Sequence, residues 1–218
     1  MAMFKRSWTI SMGIIGFVVI FAYIAAAVGL IRNLDNLTLA LLFCIGPVAI
    51  IGVLEINRRL TSSEPGLALK AGTEFLIIAF VLFTLMLVVQ VMVRLQAQNL
   101  IGQAGEAAKK EMLTAALQVT DYVQLGIDVA FDIFYCLGLI LLSAVMYGRR
   151  EFGRILGVFG IVSGAALLVL NLWAFPEVPG ESGLVDLGPV TAIWWLAVIV
   201  QMVRHRKQAE AGLNLMER

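Results

Sequence analysis

Six runs of mostly apolar residues, each about 17 to 26 long and separated by polar breaks, dominate this chain. They fall at 8–30, 36–55, 71–93, 122–147, 154–174 and 187–203. A helix of about 20 residues, rising 1.5 Å per residue, matches the roughly 30 Å hydrocarbon thickness of a bilayer. A lone strand would leave backbone polar groups unpaired in lipid, so the helix is the expected form of each run. A soluble alternative fails on composition. Of 218 residues, 61% are hydrophobic and 14% charged, against about 25% charged in an ordinary soluble domain. The expected fold is an all-α integral membrane bundle of six transmembrane helices, one domain over residues 1–218.

Two runs need separate argument. Lys5 and Arg6 precede the first, and "AYIAAA" resembles a cleavage site. Its apolar length is about twice that of a signal-peptide core, so it is expected to be a retained span. The second, "NLTLALLFCIGPVAIIGVLE", contains Pro47, which lacks an N–H and should bend the helix.

Basic residues set the direction. One face would carry Lys5, Arg6, Arg58, Arg59, Lys70, Arg149, Arg150, Arg154, Arg204, Arg206, Lys207 and Arg218, which is 12 of the 16. The other would carry Arg32, Arg94, Lys109 and Lys110. Cytoplasmic loops hold the excess of Lys and Arg, so both termini are expected in the cytoplasm.

The residue inventory excludes much chemistry. His205 is the single histidine, and Cys44 and Cys136 are the two cysteines, far apart in apolar runs. Haem ligation, a zinc site and a disulfide framework all lack their ligands, so neither metal nor cofactor is expected. A net charge of +1 gives no affinity for nucleic acid. There is no glycine-rich phosphate loop, no triad histidine and no mid-span lysine for a Schiff base. Carboxylates and tyrosines are the acid–base groups that remain, and an enzyme acting on lipid ranks last among the readings.

The fourth run poses the sharpest question. On a helix, Asp121, Gln124, Asp128, Asp132 and Tyr135 share one stripe, opposite a face of Leu, Ile, Val and Phe. An aspartate at the bilayer centre costs roughly 2.5–3.5 kcal/mol, so the stripe must face protein or water. Asp128 is placed near the outer boundary and Asp132 about 6 Å deeper. Two carboxylates so close and partly desolvated resist ionising together. One reading is a proton- or cation-binding site open to the outer face. The other is a pair bonded to neighbouring helices, Asp128 to Arg94 for example, that holds the bundle in register. Gln90 and Arg94 at the outer end of the third run, and Asn171 at that of the fifth, share this level and complete an expected polar pocket.

Further features have blander readings. Gly153, Gly157, Gly160 and Gly164 lie within about 60° on the fifth helix, a smooth strip for close helix packing. Internal packing is the expected use, and a homodimer face the alternative. Glu55 and Glu74 are placed to pair with Lys70 and Arg58 across the short second connection. Residues 94–121 favour a helix after Gly105, rising from the outer surface into the fourth span. "AFPEVPGESGLVDLGP", carrying Glu177, Glu181 and Asp186, reads as an ordered acidic loop or cap. Trp173, Trp194 and Trp195 mark interface levels or pocket walls.

"GIDVAFDIF", "EFGRILGVFG", "LNLWAFPEVPGESGLVDLGP" and "WWLAV", spread over about residues 126–199, resemble bacterial multi-pass inner-membrane proteins of unknown function. The resemblance implies an inner-membrane helical bundle and carries over no activity, cofactor or catalytic residue. The combined expectation is a small bacterial inner-membrane transporter, channel or binding protein for a proton, cation or cationic solute. The ligand-contacting residues would be Asp128, Asp132, Tyr135, Gln124, Gln90, Arg94 and Asn171. The alternative is a non-catalytic accessory or scaffold subunit of a membrane complex. Membrane lipids, with a partner membrane protein or a second copy of the chain, are the partners such a surface suits.

Overall fold

The computed structural model describes residues 36–61 and 66–216, with the side chains of residues 36–39, 94, 95, 98 and 206–216 left aside. The first expected span, 8–30, lies outside the described residues. Every regular element among the described residues is helical. They are α1 (Asn36–Phe43), α2 (Ile45–Leu60), α3 (Leu67–Val88), α4 (Arg94–Gln103), α5 (Ala107–Tyr147), α6 (Gly153–Ala174) and α7 (Gly188–Met216). A π-helical turn, Val89–Val93, joins α3 to α4 without a break.

Four helical segments are long and apolar enough to cross a membrane: Ala40–Leu60, Leu67–Val93, Ala107–Tyr147 and Gly153–Ala174. The last run, 187–203, is also helical, as the front part of α7, but it gives way at once to "RHRK". The break near Pro47 falls at Cys44, between α1 and α2. Proline has no N–H to offer the carbonyl of Phe43 four residues back, so the ladder is interrupted in that turn. Cys44 N–H and Val48 N–H keep their bonds, to Ala40 and Cys44 carbonyls, and the two pieces run on as one span.

The long α5 is the centre of the molecule, packed against α3 on one side and α6 on the other. Its 41 residues extend about 60 Å, roughly twice the hydrocarbon thickness. The polar first third, Ala107 to about Asp121, runs on from the apolar part and packs against α4 as a projecting hairpin. The sequence expectation of a helix rising into the fourth span describes this element.

Glycines set how closely these helices approach. A Cβ on Gly138 of α5 would stand 2.7 Å from Leu76 Cγ and 3.0 Å from Leu76 N of α3. On α6, a Cβ at Gly157 would stand 2.7 Å from Tyr147 Cα, and one at Gly160 would overlap Ser143 Oγ and Trp194 Nε1. Gly164 faces Ile140, Leu139 and the Cys136 carbonyl. Gly153 departs from the strip: nothing lies within 4 Å of its Cβ position, and its φ is +78°. It ends the 148–152 turn in a left-handed conformation that a side chain disfavours, so its role is conformational.

Around these crossings Val53, Leu76, Leu139, Leu142, Met146 and Trp194 are fully buried. The outward face of α6, with Ile155 88% and Val162 60% exposed, is apolar, as a lipid-facing surface must be. Trp173, 80% exposed, sits near the α6 end. Trp194 is a core residue instead, its indole N–H donating to the Leu156 carbonyl at 2.9 Å.

One end of the bundle, the turn end, carries the end of α2, the start of α3 and the 148–152 turn. It is tied across helices by side chains donating to backbone carbonyls. Arg59 reaches Met202 at 3.2 Å, Arg149 reaches Leu60 at 2.9 Å, and Gln201 reaches Glu151 at 2.9 Å. Glu55 does not use Lys70. It pairs with Arg58 at 2.7 Å and Arg59 at 3.1 Å on its own helix, where spacings of three and four residues bring side chains together. Glu74 is exposed. The opposite end, the loop end, carries the α4–α5 hairpin and the 175–187 connection.

Candidate functional site

An apolar surrounding requires backbone bonds to be made within the helix, so α5 stays helical through its two aspartates, and the four-residue spacing puts both on one face. That face is turned inward. Asp128, Asp132 and Tyr135 line a partly open cavity of about 390 Å³ bounded by α2, α3, α5, α6, α7 and the 175–187 connection. Asn171 of α6 also lines it and donates its amide to Asp132 Oδ2 at 2.5 Å. This bond crosses from α5 to α6 at the level the sequence suggested. Asn171 Oδ1 is buried with no hydrogen-bond partner among the described residues.

Carboxylates from the connection complete the acidic end. Glu177 and Asp186 line the cavity, and Asp186 lies within electrostatic reach of both Asp128 and Asp132. Asp186 also accepts the Gly188 N–H at 2.7 Å, the N-terminal cap of α7, and Pro189 follows where no N–H is required. One oxygen of Asp186 is therefore structural. Among the described residues, no lysine, arginine or histidine lines the cavity.

Aromatic side chains form the wall beside Asp132. Phe131 and Tyr135 are stacked with centroids 5.2 Å apart, and Phe80 meets Tyr135 at 6.1 Å and Trp195 at 5.9 Å. Trp195 donates its indole N–H to the Tyr135 hydroxyl at 2.9 Å, which fixes both rings. Beyond this wall the lining is aliphatic, through Ala49 and Gly52 of α2 and Ile199 of α7, toward the turn end. There Glu55 also borders the cavity, with Arg58 and Arg59 balancing its charge.

Of the residues expected to form one pocket, Asp128, Asp132, Tyr135 and Asn171 come together. Gln124 and Asp121 lie further along α5, away from the lining, and Gln90 lies in the π turn, also outside it. The expected Asp128–Arg94 pair rests on a side chain outside those described. The sequence reading did not assign Phe80, Phe131, Glu177 or Asp186 to the site. For Asp186 a signal existed, since Asp-Leu-Gly-Pro is an Asx-capped helix start that fixes where the carboxylate sits. The described residues contain no group of three or more His, Cys, Asp or Glu that could hold a metal ion. Comparison with family models, with curated proteins and with solved structures finds no match to this chain.

Proposed function

We propose that the chain is a six-span bacterial inner-membrane protein, with both termini cytoplasmic, that binds or moves a proton, cation or cationic solute through Asp128 and Asp132. One observation carries the reading. A cavity of about 390 Å³ gathers Asp128, Asp132, Asp186 and Glu177, and no basic side chain among the described residues lines it. Carboxylates withdrawn from water need a partner, and here the acidic end has been given an amide, an aromatic wall and open volume. A purely structural pair would more economically be packed against its partners. With the proposed topology the acidic end faces outward, and the Arg59, Arg149 and Gln201 bonds lace the cytoplasmic end. That arrangement fits a site loaded from outside.

The test is reconstitution into proteoliposomes. Charge movement is recorded on a solid-supported membrane after jumps in proton, sodium, potassium or organic-amine concentration. Wild type should respond to at least one jump, and Asp132→Asn should not, while keeping wild-type helicity and thermal stability. An Asn variant with an unchanged response would remove the aspartates from the site.

The accessory or scaffold reading is supported by a different element. The α4–α5 hairpin projects with Leu100 49%, Met112 64% and Val119 62% exposed, a surface that a partner membrane protein or second copy would cover.

A further inference from the structure

The volume and lining of the cavity distinguish among the cations it could take. We infer that the ligand is an amphiphilic organic cation. Its ammonium-like head would sit between Asp128 and Asp132, and its apolar body along Phe80, Tyr135, Trp195 and the aliphatic arm toward Gly52. This rests on the cation-site reading above and deepens it.

Three observations point the same way. First, size: a proton needs no cavity, and a dehydrated metal ion needs a tight shell of about six to eight oxygens. The space of about 390 Å³ instead falls in the range of roughly 300–1,000 Å³ typical of small-molecule sites. Second, the wall: Phe131, Tyr135, Phe80 and Trp195 form a continuous aromatic cluster against the carboxylates. Ring faces attract a cation lying within about 6 Å, and Trp and Tyr do so best. Inorganic cations, strongly hydrated, gain little from such a wall. Organic cations shed water cheaply and gain both the electrostatic and the apolar contact.

Third, the arm: beyond the aromatic wall the cavity continues between α2 and α7 along Ala49, Gly52 and Ile199. A Cβ built on Gly52 meets nothing within 4 Å among the described residues, so the arm is open at that point. The far end is not a second cation site, because Arg58 and Arg59 already balance Glu55. The charge asymmetry orients the ligand, with its head at the loop end and its body toward the turn end.

The probe is tetraphenylphosphonium, a large apolar cation, measured by equilibrium binding to protein in lipid nanodiscs. Tetramethylammonium and sodium serve as small competitors. Wild type should bind the probe saturably, and the two small cations should compete at least about tenfold more weakly than a second bulky aromatic ammonium ion. Asp132→Asn and Asp128→Asn should each weaken binding by more than about tenfold, the effect of losing one charged partner in a desolvated site. Gly52→Phe places a ring in the arm and should weaken the probe by a similar factor. Should the probe fail to bind while sodium, proton or tetramethylammonium responses persist and depend on Asp132, the amphiphile assignment falls and the cation site stands. Probe binding indifferent to Asp128, Asp132 and Gly52 would be partition into lipid and would overturn the assignment. Neither probe binding nor an Asp132-dependent response to any cation would overturn both readings.

Discussion

At the scale of single residues, Asp132 and Ser143 are two polar groups inside the same helix with opposite expectations. Asp132 accepts from Asn171 and faces the cavity. Asparagine keeps its shape and hydrogen-bonding capacity but removes the charge. Asp132→Asn should leave the melting temperature close to wild type, whereas Asp132→Leu should lower it, because the Asn171 amide would lose its acceptor at a cost of about 1–3 kcal/mol. Thermal unfolding in mild detergent, read by size-exclusion fluorescence, separates the two. A Leu variant as stable as the Asn variant would show that the Asn171 bond carries no stability. Ser143 is fully buried, and its hydroxyl has no hydrogen-bond partner among the described residues. Removing that unmet group should be neutral or stabilising, so Ser143→Ala is expected to hold or raise the same melting temperature. A fall of several degrees would mean the hydroxyl is satisfied in the membrane.

At the scale of helices, the fold depends on close crossings through glycine, and the strip on α6 divides by function. Gly160 sits under Ser143 and the Trp194 indole, so a larger side chain there must push α6 away from both α5 and α7. Gly160→Leu should destabilise the bundle by at least the roughly 1–3 kcal/mol typical of overpacking. Gly153→Ala should also destabilise, by about 1–2 kcal/mol, through the left-handed backbone rather than through contact. Gly126 of α5, whose Cβ position is open, should accept alanine with no loss. Unfolding measured on the three variants side by side checks the order. If Gly160→Leu were as stable as Gly126→Ala, α6 would not pack through this face.

At the scale of the whole molecule, the basic residues and the acidic cavity bear on each other. The proposed topology places Arg58, Arg59, Arg149 and Arg154 at the cytoplasmic face and the Asp128 end outside. Reporters fused after Arg218 and within 58–70 should then report cytoplasm. Those within 97–118 and 177–184 should report the outside. A C-terminal reporter active on the outside would reverse the bundle and open the acidic end to the cytoplasm. The hairpin of α4 and α5 would project from the same outer face as the cavity mouth. A partner bound there would therefore stand beside the path of any ligand.

The sequence by itself determined that the described residues are helical, with helices long and apolar enough to cross a membrane. Burying apolar runs of about 20 residues in lipid depends on local composition and length, which need no knowledge of neighbours. It also located the interruption before Pro47, the glycine strip on α6 and the inward stripe at Asp128 and Asp132, because helical periodicity projects those positions directly. It did not separate Gly153 from Gly157 and Gly160, since spacing is blind to whether a glycine is needed for its φ or for its missing side chain. Nor did it show the Gly72–Gly138 crossing, where one glycine on each of two helices meets the other helix and neither forms a strip. The rest of the cavity's membership was decided by tertiary structure. Phe80, Phe131, Glu177 and Asp186 reach it from α3, α5 and a connection, and only the packing of those elements brings such distant residues around one volume.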